Sequence, residues 1–346
     1  MSNLHINGTE RHLNILAPIF LMCRPDYYDP RIEKHQKPGH PAPNRFISGN
    51  DFDPGLAVDQ WNALKEKLES LGAQVILVDP VEGLVDQVFT ADSSVSLMTL
   101  PPDNANAVKA PPIFHTLYSR FKHAARTPEL QAQMCALESL KSDLEKTHLN
   151  GSRPTFMLGR NIQNFEGGDN LYDPYRDMFW SGYGDDENID TCRSSIGSHG
   201  LLKEFMEVKV QGIEVANGFY HLDTSLAPLP GGHMICYPGG MNRKSFESVQ
   251  KAAENETIIL VHEEDAQKFG CNVITVDRHN IVMPLCSDNL RREIESHDYA
   301  VHMVDVGEFI KSGGGPHCLT NRVNQPRTPG GLRKFPNFYD MLRYQR

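Results

Sequence analysis

Three observations on this sequence predict an α/β protein. Amphipathic helical stretches alternate with β-branched runs along most of its 346 residues, and each pair is joined by a glycine or a short turn. The spacing between pairs is irregular, which excludes a solenoid of fixed period.

Near the start, PRIEKHQKP and SGNDFDP read as loops. The clearest unit follows, AVDQWNALKEKLESLGAQVILVDP. Trp61, Leu64, Leu68 and Leu71 recur three and four residues apart, as the apolar side of a helix must. Gly72 is placed to cap that helix, and Val75 to Val78 form a buried strand. TPELQAQMCALESLKSDLEKTH is the longest helix candidate. Thr127 is its expected cap and Pro128 its first residue, where a missing N–H costs nothing; Leu130, Met134, Leu137 and Leu144 line the buried side. SFESVQKAAENETIILVH adds another helix and strand. EEDAQKFGCNVITVD places a helix stop at Gly270 and a strand over Val273 to Val276. In SDNLRREIESHDYAVHMVDV, Ser287 is the expected N-cap and Val301 to Val306 the strand.

Composition narrows the function classes. A chain 39% hydrophobic and 23% charged can bury a sizeable core and stay soluble. No apolar run approaches the roughly 18 residues of a membrane span, and the polar opening does not read as a secretory signal. The net charge of −10 argues against a nucleic-acid surface and suits a cationic ligand. The seven cysteines, Cys23, Cys135, Cys192, Cys236, Cys271, Cys286 and Cys318, form no CxxC pair. A disulfide framework and a thiolate zinc site are therefore not expected, and a reducing cytoplasm is the simplest setting. There is no GxGxxG or GxxxxGK[ST], so nucleotide binding has no support.

Four short stretches carry chemistry. VFTAD ends an apolar run on Asp92; FEGGD sets Glu166 before two glycines and Asp169 after them. YHLDT holds His221 and Asp223 two apart, on one face if the stretch is a strand. GGGPHCLTN brings Cys318 in behind three glycines. Each has a structural alternative: a buried thiol, a helix-capping Asp92, loop carboxylates at Glu166 and Asp169, a satisfied core histidine at His221. Together they divide into distinct roles. A thiolate is a nucleophile, a histidine lowers its pKa and moves protons, and a glutamate orients the histidine. Asp92 and Asp223 remain as a carboxylate pair, which suits the fork of N–H donors on a planar guanidinium. His317 is set aside as the base, because side chains of adjacent residues diverge.

The ordered series FLMCRPDYYD, LAVDQWNALKEKLESLGAQVILVDPVEGLVDQVFTAD, SRFKHAARTPE, FEGGD, FWSGYG, HLD and the glycine-rich loop ending in CLT resembles the guanidino-group-modifying superfamily. That superfamily includes arginine deiminase, dimethylarginine dimethylaminohydrolase, arginine dihydrolase and glycine amidinotransferase. The resemblance runs from about Ile15 to Val323 and is to the bacterial dimethylargininase–arginine dihydrolase branch. It implies a five-bladed α/β propeller of pseudo-repeated ββαβ units, the pentein fold. It implies one catalytic domain over 13–323, between a polar N-terminal tail (1–12) and a basic C-terminal tail (324–346) that is solvated, packed on the domain or used in self-association.

By motif position, Cys318 is implied to be the nucleophile, His221 the general acid and base, and Glu166 its partner. Asp92 and Asp223 are implied as the guanidinium clamp. Arg126 and Arg193 match places where family members hold the substrate carboxylate. The implied activity is cysteine-dependent hydrolysis of a guanidino C–N bond of arginine or a methylated arginine through a covalent thiouronium. The products are a citrulline-like ureido compound and ammonia or an amine. No cofactor or metal is implied. The expected partner is a cationic guanidino small molecule such as arginine, with no nucleic acid or membrane, and homo-oligomerisation is left open. Two departures bear on the reaction. Asp92 stands where dihydrolases carry asparagine, and His35 lies near the expected place of a second asparagine; both favour a single round of hydrolysis. GYGDDENIDTCR carries an insertion before Arg193. An amidinotransferase, or a catalytically idle guanidino-binding or effector protein, is the alternative.

Overall fold

The computed structural model describes residues 13–33, 51–100, 111–146, 153–185, 192–253 and 258–337. His35, the opening tail 1–12, the inserted residues 186–191 and the last residues, 338–346, lie outside them.

Five sheets share one plan among the described residues. In four of them the chain makes a strand, an antiparallel strand, a helix, and a strand parallel to the second. These are Ser94–Thr99, Ile113–Tyr118, Glu129–Leu144 and Thr155–Arg160; then Asn170–Asp173, Met178–Tyr183, Ser198–Met206 and Lys209–Glu214. Next come Leu226–Pro228, Met234–Cys236, Arg243–Ala253 and Ile258–Leu260; and last Ile274–Thr275, Asn280–Pro284, Asp288–Glu295 and Ala300–Val304. The remaining sheet has Ile19–Cys23, the helix Pro54–Ser70 and the parallel strand Gln74–Val78. Its antiparallel strand, Asn321–Arg322, comes from the other end of the described chain.

Local chemistry explains most elements. Asp53, within a stretch read as loop, caps the helix Pro54–Ser70: its carboxylate accepts the free N–H groups of Gly55 and Leu56 at 2.9 and 3.0 Å. Trp61, Leu64 and Leu68 are buried against Phe20, Met22, Val75 and Phe309, and Gly72 leaves the helix with φ +88. Ser287 caps its helix as expected, accepting the N–H of Leu290 at 3.2 Å.

Some boundaries differ from the expectation. Pro30–Glu33 makes a short helix where a loop was expected. Thr127 caps nothing; the long helix begins at Glu129, whose carboxylate is instead forked by the Arg126 guanidinium. Before Gly270 the helix has already ended at Ala266, and Phe269 takes the left-handed conformation (φ 63). The strand beyond shortens to Ile274–Thr275. The strand expected to reach Val306 ends at Val304, because Asp305 accepts the N–H of Gly307 and turns the chain.

Residues 324–332 pack on the body. Buried Asn324 accepts the N–H of Ile19 at 2.8 Å and donates to the carbonyls of Ile15 and Ala17. Gln325–Arg327 adds a fourth strand beside Ser94–Thr99, and buried Arg327 pairs with Asp177 at 2.8 Å. No described helix is long and apolar enough to cross a membrane.

The sheets leave their connecting turns to meet one another. Short 3-10 turns at Val85–Val88, Thr90–Ser93, Gly167–Asp169 and Leu222–Thr224, with the loop reaching Cys318, pack together. YHLDT is therefore a turn and not a strand: His221 is extended and Leu222–Thr224 coil after it.

Candidate active site

The glycines of FEGGD are explained by contact. A Cβ on Gly167 would overlap the carbonyl of Ala91, and one on Gly168 would lie 2.8 Å from Asp92 Oδ1 and 2.9 Å from the His221 ring. Only glycine lets the Glu166 turn lie against the turns bearing Asp92 and His221. The glycines before Cys318 act likewise. A Cβ on Gly314 would run into the Phe89 ring, and one on Gly315 would sit 2.5 Å from Asn272 Oδ1. Their bareness serves packing against protein atoms.

These turns bring together Cys318, His221, Glu166, Asp92, Asp223 and Arg126, none of which shares a strand with another. Cys318 is buried. Its thiol donates to Asp223 Oδ2 at 3.3 Å, while the sulfur accepts an N–H from Asn272 at 3.1 Å. The other Asn272 side-chain atom, Oδ1, accepts the backbone N–H of Cys318 at 3.2 Å, so this one residue fixes both ends of the cysteine. Burial, with the charges of Asp223 and Asp92, pushes the thiol well above its ordinary range.

His221 lies between two carboxylates. Its Nε2 is 3.0 Å from Glu166 Oε2 and its Nδ1 is 3.3 Å from Asp92 Oδ1. Burial opposes the imidazolium, but Asp92, Asp169 and Glu166 outweigh it and raise the ring to about 10. Glu166 is held down in turn. Burial raises it, yet His221, Arg126 and the Lys122 N–H, which bonds Oε1 at 3.0 Å, prevail. Asp92 is shifted the other way: burial exceeds the help from His221 and Arg126.

Two buried carboxylate oxygens are short of donors: Asp223 Oδ1 has none, and Asp92 Oδ1 faces only His221 Nδ1, at 3.3 Å. Their second oxygens are occupied: Arg126 takes Asp92 Oδ2 at 2.7 Å, and His317 takes Asp223 Oδ2 at 2.8 Å. Free acceptors at this depth are costly unless a ligand donates to them. A cleft of about 570 Å³ is lined by Asp92, His221 and Cys318, with Phe89, Arg126 and Arg193. Arg126 is forked on Glu129 (2.8 Å) and lies 4.6 Å over the Phe121 ring; Arg193 lies 4.5 Å over Tyr220. Asp223 and His317 line a separate open cleft, of about 800 Å³, with Asn170 and Arg322. Among the described residues, donor atoms of Asp92, Glu166 and His221 lie within 4.8 Å of one another, a spacing that could hold a metal ion. The Arg126 guanidinium, 2.7 Å from Asp92 and 3.8 Å from Glu166, already supplies positive charge to both carboxylates.

Sequence reasoning missed Asn272, Glu129 and the part played by His317. Glu129 had a signal, since it stands three residues after Arg126, within reach on a helical turn. Asn272 had none beyond a polar residue at the edge of an apolar run.

Comparison with known proteins agrees with this geometry. The family described as N,N dimethylarginine dimethylhydrolase, eukaryotic, matches residues 49–325. The chain is 31% identical over 313 residues to the bifunctional arginine dihydrolase/ornithine cyclodeaminase ArgZ of Synechocystis sp.; the match covers 89% of this chain but only 38% of that relative. It is 25% identical over 275 residues to the N(G),N(G)-dimethylarginine dimethylaminohydrolase of Mycobacterium tuberculosis, covering 79% of this chain and 77% of that protein. The crystal structure of the N-terminal domain of ArgZ covalently bound to a reaction intermediate superposes with a TM-score of 0.71 at 29% identity, covering 89% of this chain and 98% of that one. The chain thus belongs to the dimethylarginine dimethylaminohydrolase family, in the dimethylargininase–arginine dihydrolase branch of the guanidino-modifying enzymes.

Proposed function

We propose that this protein hydrolyses a guanidino C–N bond of arginine or a methylated arginine, with Cys318 as nucleophile. The observation that carries the reading is the pair of incompletely bonded oxygens on Asp92 and Asp223 beside a thiol and a carboxylate-bound imidazole, all on turns that meet in the interior. Two buried acceptors suit a flat cation that offers N–H groups in its plane.

The ligand's positive charge favours loss of the Cys318 proton to solvent, which the same two aspartates otherwise discourage. The thiolate attacks the guanidinium carbon and a C–S bond forms. His221, protonated and held at Nε2 by Glu166, gives its Nδ1 proton to the leaving nitrogen as the C–N bond breaks. The thiouronium remains. Neutral His221 then takes a proton from water, the water oxygen adds to the same carbon, and the C–S bond breaks to leave a ureido product. Arg126 steadies Asp92 and, with Arg193, gives one end of the cleft the positive charge that a substrate carboxylate needs. Asp92, in place of an asparagine, accords with a single hydrolytic round. The five like sheets, with the first completed by a strand from the far end of the described chain, support a five-bladed propeller around these turns.

The test is turnover on a panel of arginine, mono- and dimethylated arginines and agmatine, with and without glycine as an amine acceptor. Ureido product and ammonia or methylamine are expected, with Cys318→Ser inactive. Full turnover by Cys318→Ser would overturn the mechanism, and a guanidino product formed only with glycine would make the protein a transferase.

A further inference from the structure

Asp169, at the end of FEGGD, is fully buried and has no role in the reaction as written. Its Oδ1 accepts the backbone N–H of Leu222 at 3.1 Å and the Cys192 thiol at 2.9 Å. Gly182 makes room for it, since a Cβ there would lie 2.8 Å from the same oxygen. The residues after Cys192 continue the attachment. The Arg193 N–H donates to the Tyr220 carbonyl at 3.0 Å. The Ser194 hydroxyl accepts the N–H of Glu166 at 2.9 Å. Cys192, Arg193 and Ser194 thus hold Tyr220, on one side of His221, and both ends of the segment Glu166–Asp169, while Asp169 itself holds Leu222 on the other side.

We propose that Asp169, with Cys192 and Ser194, is a positioning clasp that sets the His221 imidazole on Glu166. The inference rests on the reading of His221 as the acid and base, and assigns how the ring is held. Cys192 is then an anchoring hydrogen-bond donor: its thiol is fully buried, and burial together with Asp169 raises it far from ionisation. Burial raises Asp169 to about 7, so it carries its charge in the alkaline range over which His221 loses its proton. The groups acting on His221 are Asp92 and Glu166 in contact, Asp169 and Asp223 at longer range, and Arg126, which bonds Asp92 and lies 3.8 Å from Glu166. Asp169 ranks after Asp92 among those that raise the ring.

Asp169→Asn keeps an oxygen for the Leu222 N–H but removes the charge. Cys192→Ala removes the donor, and Cys192→Ser restores one. Two readouts suffice: pH profiles of kcat/KM on the best guanidino substrate, and NMR titration of the His221 ring protons. Asp169→Asn should move the alkaline limb, and the ring titration, down by about one unit, with KM little changed. Cys192→Ala should lose about 10- to 100-fold in kcat through misplacement of the ring, and Cys192→Ser should recover most of it. A ring titration in Asp169→Asn that coincides with wild type, or a Cys192→Ser as poor as Cys192→Ala at equal thermal stability, overturns the clasp. A wild-type protein without guanidino turnover overturns the proposed function instead, and the NMR titration then decides the clasp alone.

Discussion

His221 and His317 each set one ring nitrogen on a buried carboxylate, at 3.0 Å from Glu166 and 2.8 Å from Asp223. Their surroundings differ. His221 is buried, meets a second carboxylate at Nδ1, and stands on a turn fastened to that of its partner. His317 is partly exposed, neighbours Cys318 in the chain, and grips the oxygen that also accepts the Cys318 thiol hydrogen bond. On the proposed reading, nearness to Cys318 in sequence does not select the proton carrier; a charge field that keeps the ring protonated beside the cleft does. His317 Nδ1 holds Asp223 Oδ2 at 2.8 Å and so orients that carboxylate.

The sharpest test substitutes the two rings separately. His221→Ala should lower kcat by about 10³- to 10⁴-fold, the usual weight of a lost general acid and base; steady-state assays decide it. Equal losses in His317→Ala would break the distinction. Glu166→Gln comes next. Removing a negative charge from Nε2 lowers the His221 pKa from about 10, so the protonated ring is lost at lower pH. The alkaline limb of the kcat profile should move down, with a fall in kcat of about 10- to 100-fold. His317→Ala should act mainly on binding, raising KM about tenfold while kcat falls less, since a freed Asp223 no longer aims its carboxylate. The smallest effect is on stability. With its folded-state pKa above the ordinary 6.5, His221 stabilises the fold fully below that pH and loses the contribution as pH rises through about 10. Tm should therefore decline from pH 7 towards 10.5, and His221→Ala should flatten the decline.

Legibility in the sequence followed the range of the forces involved. The helix Pro54–Ser70 was readable because its apolar face and capping glycine lie within one stretch of chain, as were Ser287 and its helix. Thr127 misled because the helix starts at Glu129, with Pro128 before it, and the Glu129 carboxylate takes the fork of Arg126 instead of any cap from Thr127. The proposed site residues were found through ordered motifs and chemical roles, and their turns meet in the fold. The geometry that gathers them was hidden: His221 and Asp223 are placed by a turn, which their two-residue spacing does not reveal, and Asn272 is 46 residues from the cysteine it fixes. The packing of Asn324 and Arg327 was hidden for the same reason, since both satisfy groups far back in the chain.

The strand Ile19–Cys23 is completed by Asn321–Arg322 and anchored by Asn324, 305 residues beyond Ile19. At roughly 5–20 residues per second of synthesis, the early strand waits about 15–60 s on the ribosome for that edge. Cys318 is made only just before it. Cys318 therefore emerges when three of the four other sheets have all their strands and the fourth lacks only Gln325–Arg327, so its surroundings can close around it soon after it appears. An ordering of this kind limits how long this thiol is exposed before it is buried. It also means that a chain cut short before Asn321 lacks the strand that closes the first sheet.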